Sequence, residues 1–152
     1  MRPNPTGARR CLALIVALSL CSGCAQTVPL TTSSPEAAAL PGRWTGSWRS
    51  GPVSARFTLQ ITGSSSDWLT ATAEWYGLPT VRREFTGTLA NDQLILGDPK
   101  TDGLTLTAQR RGVVGGYSLG KILGKGPDLV GPYALLVDGR PLTGTVEVSK
   151  DD

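Results

Sequence analysis

Between residues 53 and 62 apolar and polar side chains alternate without a break. Val53, Ala55, Phe57, Leu59 and Ile61 share one face, and Ser54, Arg56, Thr58, Gln60 and Thr62 share the other. A period of two is the pattern of a strand with one face buried. Similar alternation recurs at 44–49, 69–76, 81–89, 94–96, 104–110, 113–119, 133–137 and 142–148. Turn-forming clusters separate these runs, at 63–67, 77–79, 91–92, 97–103, 111–112 and 138–139. No stretch among them carries a helical period. Strands this closely spaced and joined by hairpin-length turns predict an all-β fold, an antiparallel up-and-down meander. About eight such strands close into a small barrel, because closure removes exposed edges.

A short theme recurs at irregular spacing: Trp44-Thr-Gly-Ser-Trp48, Phe85-Thr-Gly-Thr-Leu89 and Leu142-Thr-Gly-Thr-Val146. Glycine inside a strand packs nothing, so it marks a bend or a place where a large side chain crosses close to the backbone. Three such points suit a tightly coiled barrel.

The chain opens differently. Arg2, Arg9 and Arg10 precede an apolar run from Cys11 to Leu20, which ends in Cys21-Ser22-Gly23-Cys24. A positive segment, an apolar segment and small residues in that order make a secretory signal. The apolar run is shorter than the ~20 residues a permanent bilayer span requires, so residues 1–23 are expected to be removed. The junction resembles the lipobox of bacterial lipoproteins: Ser22, Gly23 and Cys24 match, with Cys21 where leucine is usual. That resemblance implies a lipid on Cys24 and a membrane anchor in the cell envelope. In the sorting rule it brings with it, Asp after the cysteine retains a protein at the inner membrane. Ala25 does not, which favours the outer membrane, with the domain facing the periplasm or the exterior. All three cysteines lie in or beside this signal, so the mature chain has no intrachain disulfide and its one thiol is explained by lipidation. Residues 24–39, rich in Thr, Ser, Ala and Pro, have the composition of a flexible tether, and the barrel domain is expected over 40–152.

Charge narrows the partners. Three of the 15 basic residues fall in the leader, leaving 12 against 12 acidic ones. A mature chain of zero net charge lacks the basic footprint of a nucleic-acid binder.

The first strand, Leu40-Pro-Gly42-Arg-Trp44-Thr-Gly-Ser-Trp48, resembles that of the lipocalin and avidin group of barrels, whose signature is Gly-x-Trp at the closed end. Gly42 and Trp44 match, and the likeness of architecture extends from about Leu40 to Lys150. The resemblance implies a calycin-type barrel. Lipocalins also set a basic residue of the last strand against that tryptophan and carry a helix afterward; neither is assigned here, Lys150 being a poor candidate and the chain stopping at Asp152.

The chain contains no histidine, which excludes Ser-His-Asp and Cys-His centres and histidine-bound zinc. Glu74 and Glu84 read as solvated charges on an outer face, Asp98 and Asp102 as turn residues rather than a calcium site. The glycines of 120–126 have the wrong spacing for a phosphate loop. The expectation is a protein that is not an enzyme and has no metal or cofactor. The aromatic residues carry the functional question. Trp44, Trp48, Phe57 and Trp75 fall on the inward face, Tyr117 joins them, and Arg83 shares their parity, either at the barrel mouth with its head in water or as a buried cation. The rings either fill the core or line a cavity for one small ligand. The glycine-rich stretch 112–132 reads as an irregular hairpin or a long loop with an apolar tip. The chain is therefore expected to act by binding, in a structural or protein-interaction role at the envelope, or as the carrier of a small apolar ligand. A filled interior favours the first and a hollow one the second.

Overall fold

The computed structural model describes residues 25–65, 68–77, 79–111 and 127–152. It contains nine strands and one helical turn: β1 (Ala25–Val28), α1 (Pro35–Ala38), β2 (Gly42–Ser50), β3 (Val53–Ser65), β4 (Trp68–Trp75), β5 (Val81–Ala90), β6 (Gln93–Asp98), β7 (Asp102–Arg111), β8 (Asp128–Val137) and β9 (Arg140–Lys150). From β2 to β9 each strand pairs antiparallel with the next, and β9 returns to pair with β2. The result is the expected meander, closed into a barrel of eight strands. The strand expected at 113–119, and Tyr117 with it, lies outside the described residues.

The hairpin turns follow from residue type. Asn91 and Asp92 (φ 52° and 61°) join β5 to β6, and Asp138 and Gly139 (φ 50° and 75°) join β8 to β9. Two consecutive left-handed residues twist the chain in the sense the flanking strands require. The closing seam rests on the recurring glycines. A Cβ on Gly46 in β2 would collide with Glu147 O of β9, and one on Gly144 in β9 with Arg49 O of β2. Only glycine at both positions lets the first and last barrel strands come together.

Inward residues of β3, β6 and β7 contribute to the core of the barrel. Phe57, Leu59, Leu94, Leu96, Leu104 and Leu106 are fully buried there. One end is sealed. Trp44 is buried and its Nε1–H donates to Leu40 O at 2.9 Å. Lys150, opposite Trp44 in the β2–β9 register, places its Nζ 5.9 Å from the ring centroid and donates to Ala39 O. The last strand thus does set a cation against the tryptophan of Gly-x-Trp, and the residue is Lys150. It escapes a parity argument because its ammonium reaches the ring over Gly42, where there is no side chain in the way.

Residues 25–39, whose composition suggested a tether, lie on the barrel. β6 pairs with β7 only as far as Leu106, and β1 takes the edge left free, from Ala108 to Arg111. The chain then passes the β5–β6 turn, where Leu30 N–H donates to Asp92 O at 3.4 Å. Ser34 caps α1 by accepting from Ala37 N–H at 3.1 Å, with Pro35 in the first turn where its missing N–H costs nothing. Glu36 pairs with Arg110 at 2.9 Å. Leu30 and Leu40, each 1% exposed, join the core. An open β7 edge and an apolar plug are the physical reasons this polar segment is held. Leu30→Ala is accordingly expected to cost ~2–5 kcal/mol, read as a lowered midpoint in thermal or urea unfolding; a detached tether would leave the midpoint unchanged.

Candidate functional site

The opposite end carries the turns at 51–52, 99–101 and 138–139, with residues 76–77 and 79–80 between β4 and β5, and is open. A cavity of about 710 Å³ lies there, walled by Val53 and Ala55 of β3, Trp48 of β2, Trp75 of β4, Val81 of β5 and Leu142 of β9, with Ser50, Asp138 and Arg140 at its polar positions. It exists because the inward residues near this end are either small or belong to the rim. Ala55 stands beside Trp48 in the β2–β3 register, and Gly77 lies under the same indole.

Behind this wall Trp75 and Trp48 belong to an aromatic cluster. Trp75 packs against Phe57 at 4.9 Å between ring centroids, Tyr133 at 5.6 Å and Phe85 at 6.4 Å. Tyr133 meets Trp48 edge to face at 6.5 Å. The tyrosine ring fits because it lies over Gly144, directly across the β8–β9 register, where a Cβ would stand only 2.9 Å from Tyr133 Cε1. Trp48 Nε1–H donates to Tyr76 O at 2.9 Å. By contrast Trp75 Nε1 and Tyr133 Oη are buried and make no hydrogen bond. Such groups cost about 1–3 kcal/mol each, so two in one cluster are a feature to explain. Burial pushes the Tyr133 phenol above the range of an exposed tyrosine, and the neighbouring Ser50 hydroxyl opposes that shift. Ser50 gives its own proton to Thr143 O at 2.7 Å, which leaves its oxygen able to accept from the phenol.

Of the residues singled out from the sequence, Trp48 and Trp75 reach the cavity and Phe57 backs Trp75. Trp44 shares their face but sits at the sealed end. Arg83 is at the mouth with its head partly in water. It lies 3.5 Å from Asp102 and donates to Leu136 O at 3.0 Å, so it ties β5 to β7 and β8 and is not a bare buried cation. Cys24 and Tyr117 lie outside the described residues. Glu74 pairs with Arg82 at 3.6 Å rather than with Glu84, and Asp98 accepts from Lys100 N–H at 2.9 Å and from Thr101 Oγ1 within its own turn. These loop bonds, that of Lys100 first, lower the Asp98 carboxyl. The cavity residues missed from sequence are Val53, Ala55, Val81 and Leu142. Their place in the alternation, Val53 and Ala55 in phase with Phe57 and Val81 with Phe85, was the available signal.

A tyrosine whose folded pKa is raised contributes stability that is present at neutral pH. That contribution is lost as pH climbs above the ordinary tyrosine range, ~10. Unfolding free energy measured from pH 8 to 11 is expected to fall across the upper part of this window, and Tyr133→Phe is expected to remove part of the fall.

No family model, curated protein or solved structure matches the chain, so what the cavity does follows from its chemistry.

Proposed function

We propose that this chain is an exported, lipid-anchored binding protein that holds one small apolar molecule in the open end of its barrel. The observation that carries this reading is the cavity of about 710 Å³ between Trp48, Trp75, Val53, Val81 and Leu142. Sites for small ligands occupy ~300–1,000 Å³ and are walled mainly by apolar and aromatic groups with a few polar ones. A barrel whose aromatic residues served only as filling would have no such space above them.

The address comes from the leader and Cys24. β1 begins at Ala25 and pairs with Arg111, the end of β7 furthest from the cavity. A lipid on Cys24 would therefore hold the sealed end near the bilayer with almost no slack, and the mouth would face the aqueous side. A ligand would then enter from solution, not from the anchoring membrane. One observation favours a second reading, a partner protein seated over the mouth. Val53 and Leu136, on the β3 and β8 sides of that rim, are 54% and 51% exposed.

N-phenyl-1-naphthylamine, a neutral apolar fluorophore, distinguishes the two. Added to the mature chain carrying Cys24→Ser, it is expected to bind saturably at one equivalent per chain and to quench tryptophan emission. Ala55→Phe, which fills the cavity wall, is expected to weaken binding at least ~10-fold, about 1.4 kcal/mol, without lowering the melting midpoint by more than a few degrees. Absence of saturable binding would sink the carrier reading and leave the partner reading. For the anchor, intact-mass measurement of the membrane-extracted protein is expected to show a diacylglyceryl adduct that Cys24→Ser abolishes; an unmodified mass in the wild type would refute lipidation.

A further inference from the structure

A lone exposed apolar side chain needs no explanation by itself, but the place of one of them does. Among the described residues Val53, Trp68 and Leu136 are the large apolar side chains left in water. Val53 and Leu136 border the mouth, where the cavity accounts for them. Trp68 is 53% exposed, whereas Trp44, Trp48 and Trp75 are at most 8% exposed. It also stands at the other end of the molecule. Trp75 closes β4 and walls the cavity, and Trp68 opens the same strand, roughly 23 Å away. Trp44, Leu59 and Ala73 share one register position across β2, β3 and β4, and Trp68 with its partner Ser65 lies beyond them.

This is the end that the anchor reaches. β1 begins at Ala25, one residue after Cys24, and its pairing with Arg111 fixes the start of the mature chain at the end of β7 furthest from the cavity. β1 takes the place beside β7 that β6 leaves free, and β6, β5 and β4 follow in the sheet. With no tether between lipid and barrel, the wall that carries Trp68 cannot swing far from the bilayer. Charge gives this end no other partner. Arg43 is paired with Asp151 at 3.4 Å and Arg110 with Glu36 at 2.9 Å, and Lys150 donates to Ala39 O. The free basic cluster that recruits anionic lipid is lacking here among the described residues.

Resting on the anchor reading, we propose that Trp68 is a second membrane contact, its indole lying in the interface of the zwitterionic bilayer that holds the lipid of Cys24. Tryptophan favours this layer because its ring is apolar while its N–H still finds polar partners. Asp67 precedes it in sequence, and a carboxylate is costly in hydrocarbon, so the ring stops at headgroup depth. One ring binds a bilayer weakly on its own. Beside an anchored cysteine its insertion is an intramolecular step at high effective concentration. Two contacts on one end fix the tilt of the barrel, which a lipid alone leaves free to swivel, and hold the mouth towards the aqueous side.

The test supplies the anchor chemically, which separates it from lipidation in the cell. After cleavage Cys24 is the only cysteine, and the mature chain is coupled through it to maleimide-bearing phosphatidylethanolamine in phosphatidylcholine vesicles. Replacing the phosphatidylcholine by its 6,7-dibromo form is expected to extinguish the part of the tryptophan emission that Trp68→Phe removes. The deeper 11,12-dibromo form is expected to quench it less. Iodide is expected to quench the same emission in the free chain and to lose that access on coupling. Trp68→Phe, at an exposed position, is expected to keep the melting midpoint; if it does not, the wild type alone decides, since the other three tryptophans are buried. Trp68 emission indifferent to both brominated lipids, or quenched more by the deeper one, on vesicles shown by flotation to carry the chain, overturns the proposal. Emission that iodide cannot reach before coupling also overturns it, and assigns the cover to residues 112–126, or to a second copy if dilution restores access. Neither result touches the anchor reading, which the intact-mass measurement decides. An unmodified mass there overturns both, whatever the vesicles show.

Discussion

Closure of the sheet between β2 and β9 brings Trp44 opposite Lys150 and Trp48 opposite Val146, contacts between the two ends of the barrel sequence. Until that seam forms, β2 and β9 each expose a row of unpaired N–H and C=O groups, and neither the sealed end nor the cavity has a complete wall. The seam is steric before it is energetic. Gly46 and Gly144 supply no Cβ at the two points where backbone carbonyls of the partner strand press in. Gly144 then has a second effect, since the bare strand surface it leaves is covered by the ring of Tyr133. The same absence of a side chain closes the barrel and seats the phenol beside Trp48 and Ser50. Contacts of such sequence separation form late because of the loop-closure entropy they carry, so the cavity wall is complete only when the fold is.

Height along the barrel axis, more than which face a residue occupies, separates packed core from cavity. At the sealed end Trp44, Leu40 and Leu30 meet with an ammonium over the indole. At the open end inward positions pass to Ala55, Ser50 and the rim of turns, and side chains no longer reach across. A barrel of eight strands is only just wide enough to be filled by its own residues. Small residues grouped at one level are enough to leave it hollow there.

This is also why the sequence was legible in one dimension and not in the other. Alternation separates inward from outward residues, and it places Trp44, Trp48, Phe57 and Trp75 correctly inside. The turns at Asn91-Asp92 and Asp138-Gly139 were equally readable, since few residue pairs accept two left-handed conformations. Parity carries no information about stagger between strands, which decides that Trp44 seals one end while Trp48, four residues on, borders the cavity at the other. Lys150 was obscured for a related reason: its role comes from register across the seam and from Gly42 beneath it. The four residues of β1 are too few to show a period, and they are held by an edge that β6 leaves free by being short. Composition alone read that segment as tether.

Two donors of the aromatic cluster, Trp75 Nε1 and Tyr133 Oη, are buried beside the cavity. Burying an indole N–H and a phenol O–H without partners lowers stability, whereas replacing such groups by apolar ones of the same shape is close to neutral. The fold demonstrates the cheaper solution elsewhere, since Trp44 and Trp48 are both satisfied by backbone carbonyls a few ångströms away. Phenylalanine at 133 would keep the contacts with Trp48, Trp75 and Gly144 and discard the unpaired hydroxyl. Departures from local consistency of this kind are expected where a protein gives up stability for function. Here the departure falls on two rings that meet behind the cavity wall, and on neither of the tryptophans whose N–H is already used.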